Sequence, residues 1–199
     1  MQPPAKPAAR EGWRTFIALG LAPEIKQAIA QYLLPLKKLT NGISWVKSEN
    51  LHFTLKFLGD TPVAVVPEIA AALGEICSRY EPVRAKISGS GVFPNEKRPR
   101  VLWLGCQVET ASLGELAAEI DAACGRFGFQ PEARAFAPHL TIGRVREGPA
   151  SIVVSTMRNQ KFSGPETIFD ECVFMKSELH PAGSIYTRLD TFPFARTNA

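Results

Sequence analysis

No CxxC pair, no GxxxxGK[ST] segment and no apolar run near the roughly 18 residues that cross a bilayer occurs in this 199-residue chain. The four cysteines, at 77, 106, 124 and 172, have no histidine at ligand spacing, so they read as buried, reduced thiols rather than a zinc or redox site. Without a phosphate loop, ATP loses support as a required cofactor. NAD does too, because Gly89-Ser90-Gly91 lacks the further glycine and the helix that a dinucleotide site needs. The opening MQPPAKPAAREG is rich in Pro and Ala and lacks the apolar stretch of a secretion signal, so residues 1–12 are expected to be mobile and the protein cytoplasmic. Charge is modest as well. The 23 Lys and Arg against 19 Asp and Glu leave +4, which favours an anionic ligand without the excess of a dedicated nucleic-acid tail.

Hydrophobic residues make up 45% of the chain, ample for a real core, and the length suits one domain of two small lobes over residues 13–199. Trp13 to Leu19 alternates and reads as a strand. Pro23 opens a helical stretch in which Ile25, Ile29, Leu33 and Leu36 recur at helix spacing, with Pro35 placed to kink its last turn. Helices are also expected over about 65–80, 113–127 and 151–158. Strands are expected near 43–46, 51–58 (closed by Gly59-Asp60), 83–88, 101–108, 135–145, 168–178 and 185–192. The long Val/Ile runs of parallel sheets are missing, which points to an α+β fold with mostly antiparallel sheets.

Histidine is scarce, with three in all, yet two of them open the same tetrapeptide: His52-Phe53-Thr54-Leu55 and His139-Leu140-Thr141-Ile142. With Thr at 11 positions and apolar residues at 45%, a given histidine begins such a pattern by chance roughly 1% of the time. Two of three doing so is a signal. On a strand, positions i and i+2 share a face. Each motif therefore projects an imidazole and a hydroxyl together, while Phe53, Leu55, Leu140 and Ile142 point into the core. Two imidazoles flanking one phosphorus suit an in-line displacement, one as base and the other as acid, with the hydroxyls bonded to the non-bridging oxygens.

At these residues the sequence resembles the 2H phosphoesterase superfamily, and within it the bacterial RNA 2′,3′-cyclic phosphodiesterases, historically called 2′-5′ RNA ligases. The resemblance runs from about Arg14 to Phe194 through FIAL, NLHFTLKFLGD, GVFPNEKRPRVLWLG, FAPHLTIGRVR and SIYTRLDTFPF. It implies a two-lobed, pseudo-symmetric fold with helices on the outer faces and a central cleft. It also implies metal- and cofactor-independent opening of a 2′,3′-cyclic phosphate to a 2′-phosphomonoester, with reversible 2′-5′ joining in some members. Carried over, His52 would protonate the departing 3′ oxygen, His139 would activate water, and Thr54 and Thr141 would hold the phosphate. Arg144 stands where the family places a basic residue. The expected partners are RNA ends or small cyclic nucleotides, with no membrane, and the protein is expected to be a monomer. The same chemistry on another cyclic phosphate or a 2′-5′ oligonucleotide, and a non-catalytic RNA-binding module, stand as alternatives.

Arg144 raises a parity problem, since five residues beyond His139 a regular strand sends it to the opposite face. A bulge at Gly143 would add one residue and bring it back; otherwise it is solvated. Lys56 shares the His52 face by the same parity, either binding anion or lying in solvent. Phe93 with the basic loop Lys97-Arg98-Pro99-Arg100 either guides an RNA backbone, with Arg98 and Arg100 on phosphates and Phe93 stacked on a base, or is a solvated loop. His180 reads as structural or exposed, and Tyr186 and Phe192 as core.

Overall fold

The computed structural model describes residues 11–181 and 183–195, so most of the expected mobile segment 1–12 lies outside the described residues, and Gly12 already belongs to the first strand. The elements run β1 (Gly12–Leu19), α1 (Pro23–Lys37), β2 (Ile43–Trp45), β3 (Phe53–Pro62), α2 (Val66–Cys77), β4 (Val83–Phe93) and β5 (Val101–Val108). They continue with α3 (Ser112–Gly125), β6 (His139–Val145), α4 (Ser151–Asn159), β7 (Ser163–Phe169), β8 (Glu171–Glu178) and β9 (Ile185–Pro193).

Two antiparallel sheets form, one in the order β3-β1-β8-β9 and the other β2-β6-β5-β4-β7. Helices α2 and α3 pack on the first sheet, and α1 and α4 on the second. Neither sheet is continuous in sequence, because the chain crosses between them repeatedly. One such crossing explains a misreading: residues 168–178 look like one apolar strand, but Asp170 breaks it, with β7 ending in one sheet and β8 beginning the other.

Strand parity sorts the side chains of β1. Ile17 and Leu19 join the main core, which spans both sheets and all four helices, while Phe16 and Ala18 form a small cluster with Val173 on the opposite face. Phe53 and Leu55 of β3 and Leu140 and Ile142 of β6 all enter the main core. Each large side chain buried this way contributes about 1.5–3 kcal/mol, so a slip of one residue in either motif strand would exchange that burial for a threonine and a histidine. Gly59 does not end β3 as its turn-like sequence suggests. It takes φ +73° beside a register shift, and the strand runs on to Pro62. Pro35 sits in the last turn of α1, which continues to Lys37. Cys77, Cys124 and Cys172 are buried free thiols, and Cys106 is only partly buried.

Candidate active site

The two motif strands meet where the sheets approach each other, with Cα atoms of β3 and β6 within 8 Å. His52 stands immediately before β3 and His139 opens β6. Both imidazoles are fixed in the same way. His52 Nδ1–H donates to the Asn50 carbonyl at 2.7 Å, and His139 Nδ1–H donates to the Ala137 carbonyl at 2.9 Å, two residues upstream in each case. A ring held through Nδ1–H leaves Nε2 as the atom free to exchange a proton. Aromatic rings complete the mounting. Phe16 stacks on His52 at 4.7 Å and Tyr186 meets its edge at 5.3 Å, while Phe93 stands edge-on to His139 at 5.2 Å.

His52, His139, Thr54 and Thr141 line one cleft of about 390 Å³. Arg144 lines it too. The pairing of β5 with β6 shifts register between Leu102 and Trp103, which oppose Gly143 and Thr141, so Ile142 is the extra residue and the facing of everything after it changes. The irregularity is tight. A Cβ on Gly143 would stand 2.9 Å from Ile43 and 3.1 Å from Trp45, so only glycine allows β2 to approach.

The same device refutes the parity argument for Lys56. In the pairing of β1 with β3, Ile17 opposes Lys56 and Ala18 opposes Thr54, so a bulge at Leu55 turns Lys56 away from the cleft. Lys56 is 3% exposed and its ammonium donates to Asp121 at 2.5 Å and to the Gln130 carbonyl at 2.6 Å; it is neither an anion ligand nor a solvated lysine. Arg98 and Arg100 are exposed and do not line the cleft; the Arg98 N–H donates to Asn95 Oδ1, and the Arg100 N–H to the Phe93 carbonyl. Phe93, 41% exposed, reaches the site only by touching His139. His180 is exposed near the start of the β8–β9 connection. Phe192 is core, but Tyr186 is half-buried and lines the cleft beside His52, contrary to its expected place.

Sequence reasoning missed Arg14, Phe57 and Arg146, which also line the cleft. Arg14 had a usable signal, since it lies two residues from Phe16 on the same face of β1, whereas Arg146 stands just past the end of β6 at Val145, where strand parity gives none. The Arg14 guanidinium lies over the Phe57 ring at 4.5 Å. Among the described residues, no carboxylate lines the cleft or pairs with Arg14, Arg144 or Arg146. The field in the cleft is therefore positive, and burial together with Arg144 and Lys26 holds the His52 imidazole below its ordinary value of 6.5, against the opposing pull of the Asn50 carbonyl. A larger depression of about 720 Å³ lies elsewhere, between β4, β5 and β7. It mixes Arg84 and Lys86 with Glu109 and Glu166 and contains no histidine, so its size does not make it the chemical site.

The chain matches the family model described as LigT like Phosphoesterase twice, over residues 19–103 and 104–186. The chain belongs to the LigT-like phosphoesterase family. The double match puts one motif in each half, in keeping with the two equivalent histidine mountings. Among the family's curated members, the RNA 2′,3′-cyclic phosphodiesterase of Methanothermobacter thermautotrophicus is 34% identical over 90% of this chain and 97% of its own. The RNA 2′,3′-cyclic phosphodiesterase of Thermotoga maritima is 34% identical over 87% of this chain and 91% of its own. The crystal structure of TT0787 of Thermus thermophilus superimposes with a TM-score of 0.78 at 26% identity, covering 91% and 97% of the two chains. No helix among the described residues is long and apolar enough to cross a membrane.

Proposed function

We propose that this phosphoesterase opens the 2′,3′-cyclic phosphate at RNA 3′ ends to a 2′-phosphomonoester, with His52 as general acid and His139 as general base. Water attacks phosphorus and gives its proton to His139 Nε2; the P–O3′ bond breaks, and His52 Nε2–H protonates the departing 3′ oxygen. The Thr54 and Thr141 hydroxyls and the Arg144 guanidinium bind the non-bridging oxygens, where negative charge builds in the transition state. A 5′-hydroxyl in place of water gives 2′-5′ joining through the same geometry, and the roles of the imidazoles exchange when that reaction reverses. The reading takes the protein to be a cytoplasmic monomer that needs no cofactor.

The observation that carries this reading is the matched mounting: two Nδ1-anchored imidazoles and two hydroxyls around one cleft to which, among the described residues, three guanidiniums and no carboxylate contribute charge. The names of the relatives supply the substrate class. RNA ending in a cyclic phosphate, incubated with the purified protein in EDTA and followed by ³¹P NMR, tests it. Accumulating 2′-phosphate is the expected product. A 3′-phosphate would mean that the 2′ oxygen leaves and the assignment of acid and base is reversed, and turnover only after adding a divalent cation would overturn the two-histidine mechanism.

A further inference from the structure

Lys56 takes no part in the chemistry above, although it follows Thr54 by two residues. Its ammonium is buried against the Gln130 carbonyl and Asp121 Oδ1, with Glu132 Oε1 at 3.7 Å. Asp121 in turn accepts the Glu132 backbone N–H at 3.2 and 3.1 Å through its two oxygens. The cluster joins three parts of the chain: strand β3 just past His52, helix α3, and the segment 130–138 that leads to His139.

That segment has no helix or strand of its own. Among the described residues, its polar attachments are those of Gln130 and Glu132 to this cluster and that of the Ala137 carbonyl to His139 Nδ1–H. Phe136 adds a packing contact with the core. The carbonyl that orients the second imidazole thus hangs on a segment whose near end is fastened to the strand of the first. A buried ion cluster is a weak device for stability, since apolar replacements are often as good or better, and its best-attested use is to fix register.

We infer that Lys56 is a positioning residue, clamping segment 130–138 to β3 so that the Ala137 carbonyl holds His139 in register with His52. The inference rests on the two-imidazole reading of the site. It is tested with Lys56→Met, which keeps the length and apolar stem of the side chain, and with Asp121→Asn, which weakens the grip on Glu132 while leaving the Lys56–Gln130 bond. The readouts are kcat and KM on cyclic-phosphate RNA, and ¹⁵N spectra of the histidine rings.

The expected result is a fall in kcat of about 10- to 100-fold for Lys56→Met with little change in KM, as for a catalytic group displaced by about an ångström. The Nδ1–H signature of His139 is lost while that of His52 persists. A folded Lys56→Met enzyme with unchanged kcat and an unchanged His139 spectrum would overturn the inference. So would a rise in KM alone, which would mark Lys56 as an anion ligand. If Lys56→Met does not fold, the same readouts on Asp121→Asn decide. The ring spectra do not depend on turnover, so an active His139→Ala enzyme alongside a lost His139 signature in Lys56→Met would sink the acid–base reading and leave the clamp standing.

Discussion

Two rings enclose His52, Phe16 flat against it and Tyr186 at its edge, whereas among the described residues His139 meets only the edge of Phe93. Both imidazoles are nonetheless tied through Nδ1–H to a carbonyl two residues upstream, and both precede a threonine on the same strand face. The mountings are alike and the surroundings differ. Burial and the Arg144 charge make His52 a readier proton donor, which suits its proposed role of protonating a leaving alkoxide. The same shift shrinks the protonated fraction of the free protein at neutral pH, and a bound phosphate anion opposes it by offsetting the guanidinium charge. On the proposed mechanism, a pair of like-mounted motifs would acquire distinct acid and base through what packs around each copy.

The sharpest break in that comparison comes from removing either ring. His52→Ala and His139→Ala are each expected to cost about 10²- to 10⁴-fold in kcat, with circular dichroism unchanged because neither side chain belongs to the core. Arg144→Ala is next, at about 10²- to 10³-fold. It also removes one of the charges holding His52 down, so the His52 ring titration followed by NMR moves up toward the ordinary value; no movement would mean that the two groups do not share a field.

Gly143→Ala is expected to cost about 1–3 kcal/mol of stability, because the new methyl displaces Ile43 and Trp45. It should also lower activity by shifting Arg144, while the equivalent change at exposed Gly114, where a Cβ meets nothing within 4 Å, costs neither. Equal effects at the two glycines, measured by thermal melts and kcat, would remove the bulge from the account. The smallest effect concerns folding stability. The folded chain binds a proton at His52 less readily than the unfolded chain, so stability falls as pH drops from about 6.5 toward the lowered value and levels off below it. Relative to His52→Ala, the wild type should therefore lose more in Tm between pH 7.5 and 5.5, and equal losses would contradict the burial argument.

How much of this was legible in the sequence depended on where strand parity held. It placed Phe53, Leu55, Leu140 and Ile142 in the core and set both His-Thr pairs on one face. It failed wherever a bulge added a residue. Gly143 pointed to the bulge beside it at Ile142, since a glycine inside a strand often marks one, and Arg144 followed from it. The bulge at Leu55 carried no such mark, so Lys56 was assigned to the wrong face. Tyr186 falls on the unexpected face through a further unmarked bulge: in the pairing of β8 with β9, Phe174 opposes Asp190 and Met175 opposes Arg188, so Leu189 is the extra residue, and Tyr186 turns to the cleft while Phe192 stays in the core. The helices were the easy part: Ile25, Ile29, Leu33 and Leu36 mark α1 without help from tertiary contacts.

The division of labour between the two imidazoles can be tested by changing the leaving group. In a 2′,3′-cyclic substrate whose bridging 3′ oxygen is replaced by sulfur, the departing thiolate needs no proton, because a thiol ionises near about pH 8.5, far below an alcohol. The account expects His52→Ala to regain most of the lost rate on that substrate and His139→Ala to regain none. Rescue of His139→Ala instead, or equal rescue of both, would contradict the assignment of His52 as the acid.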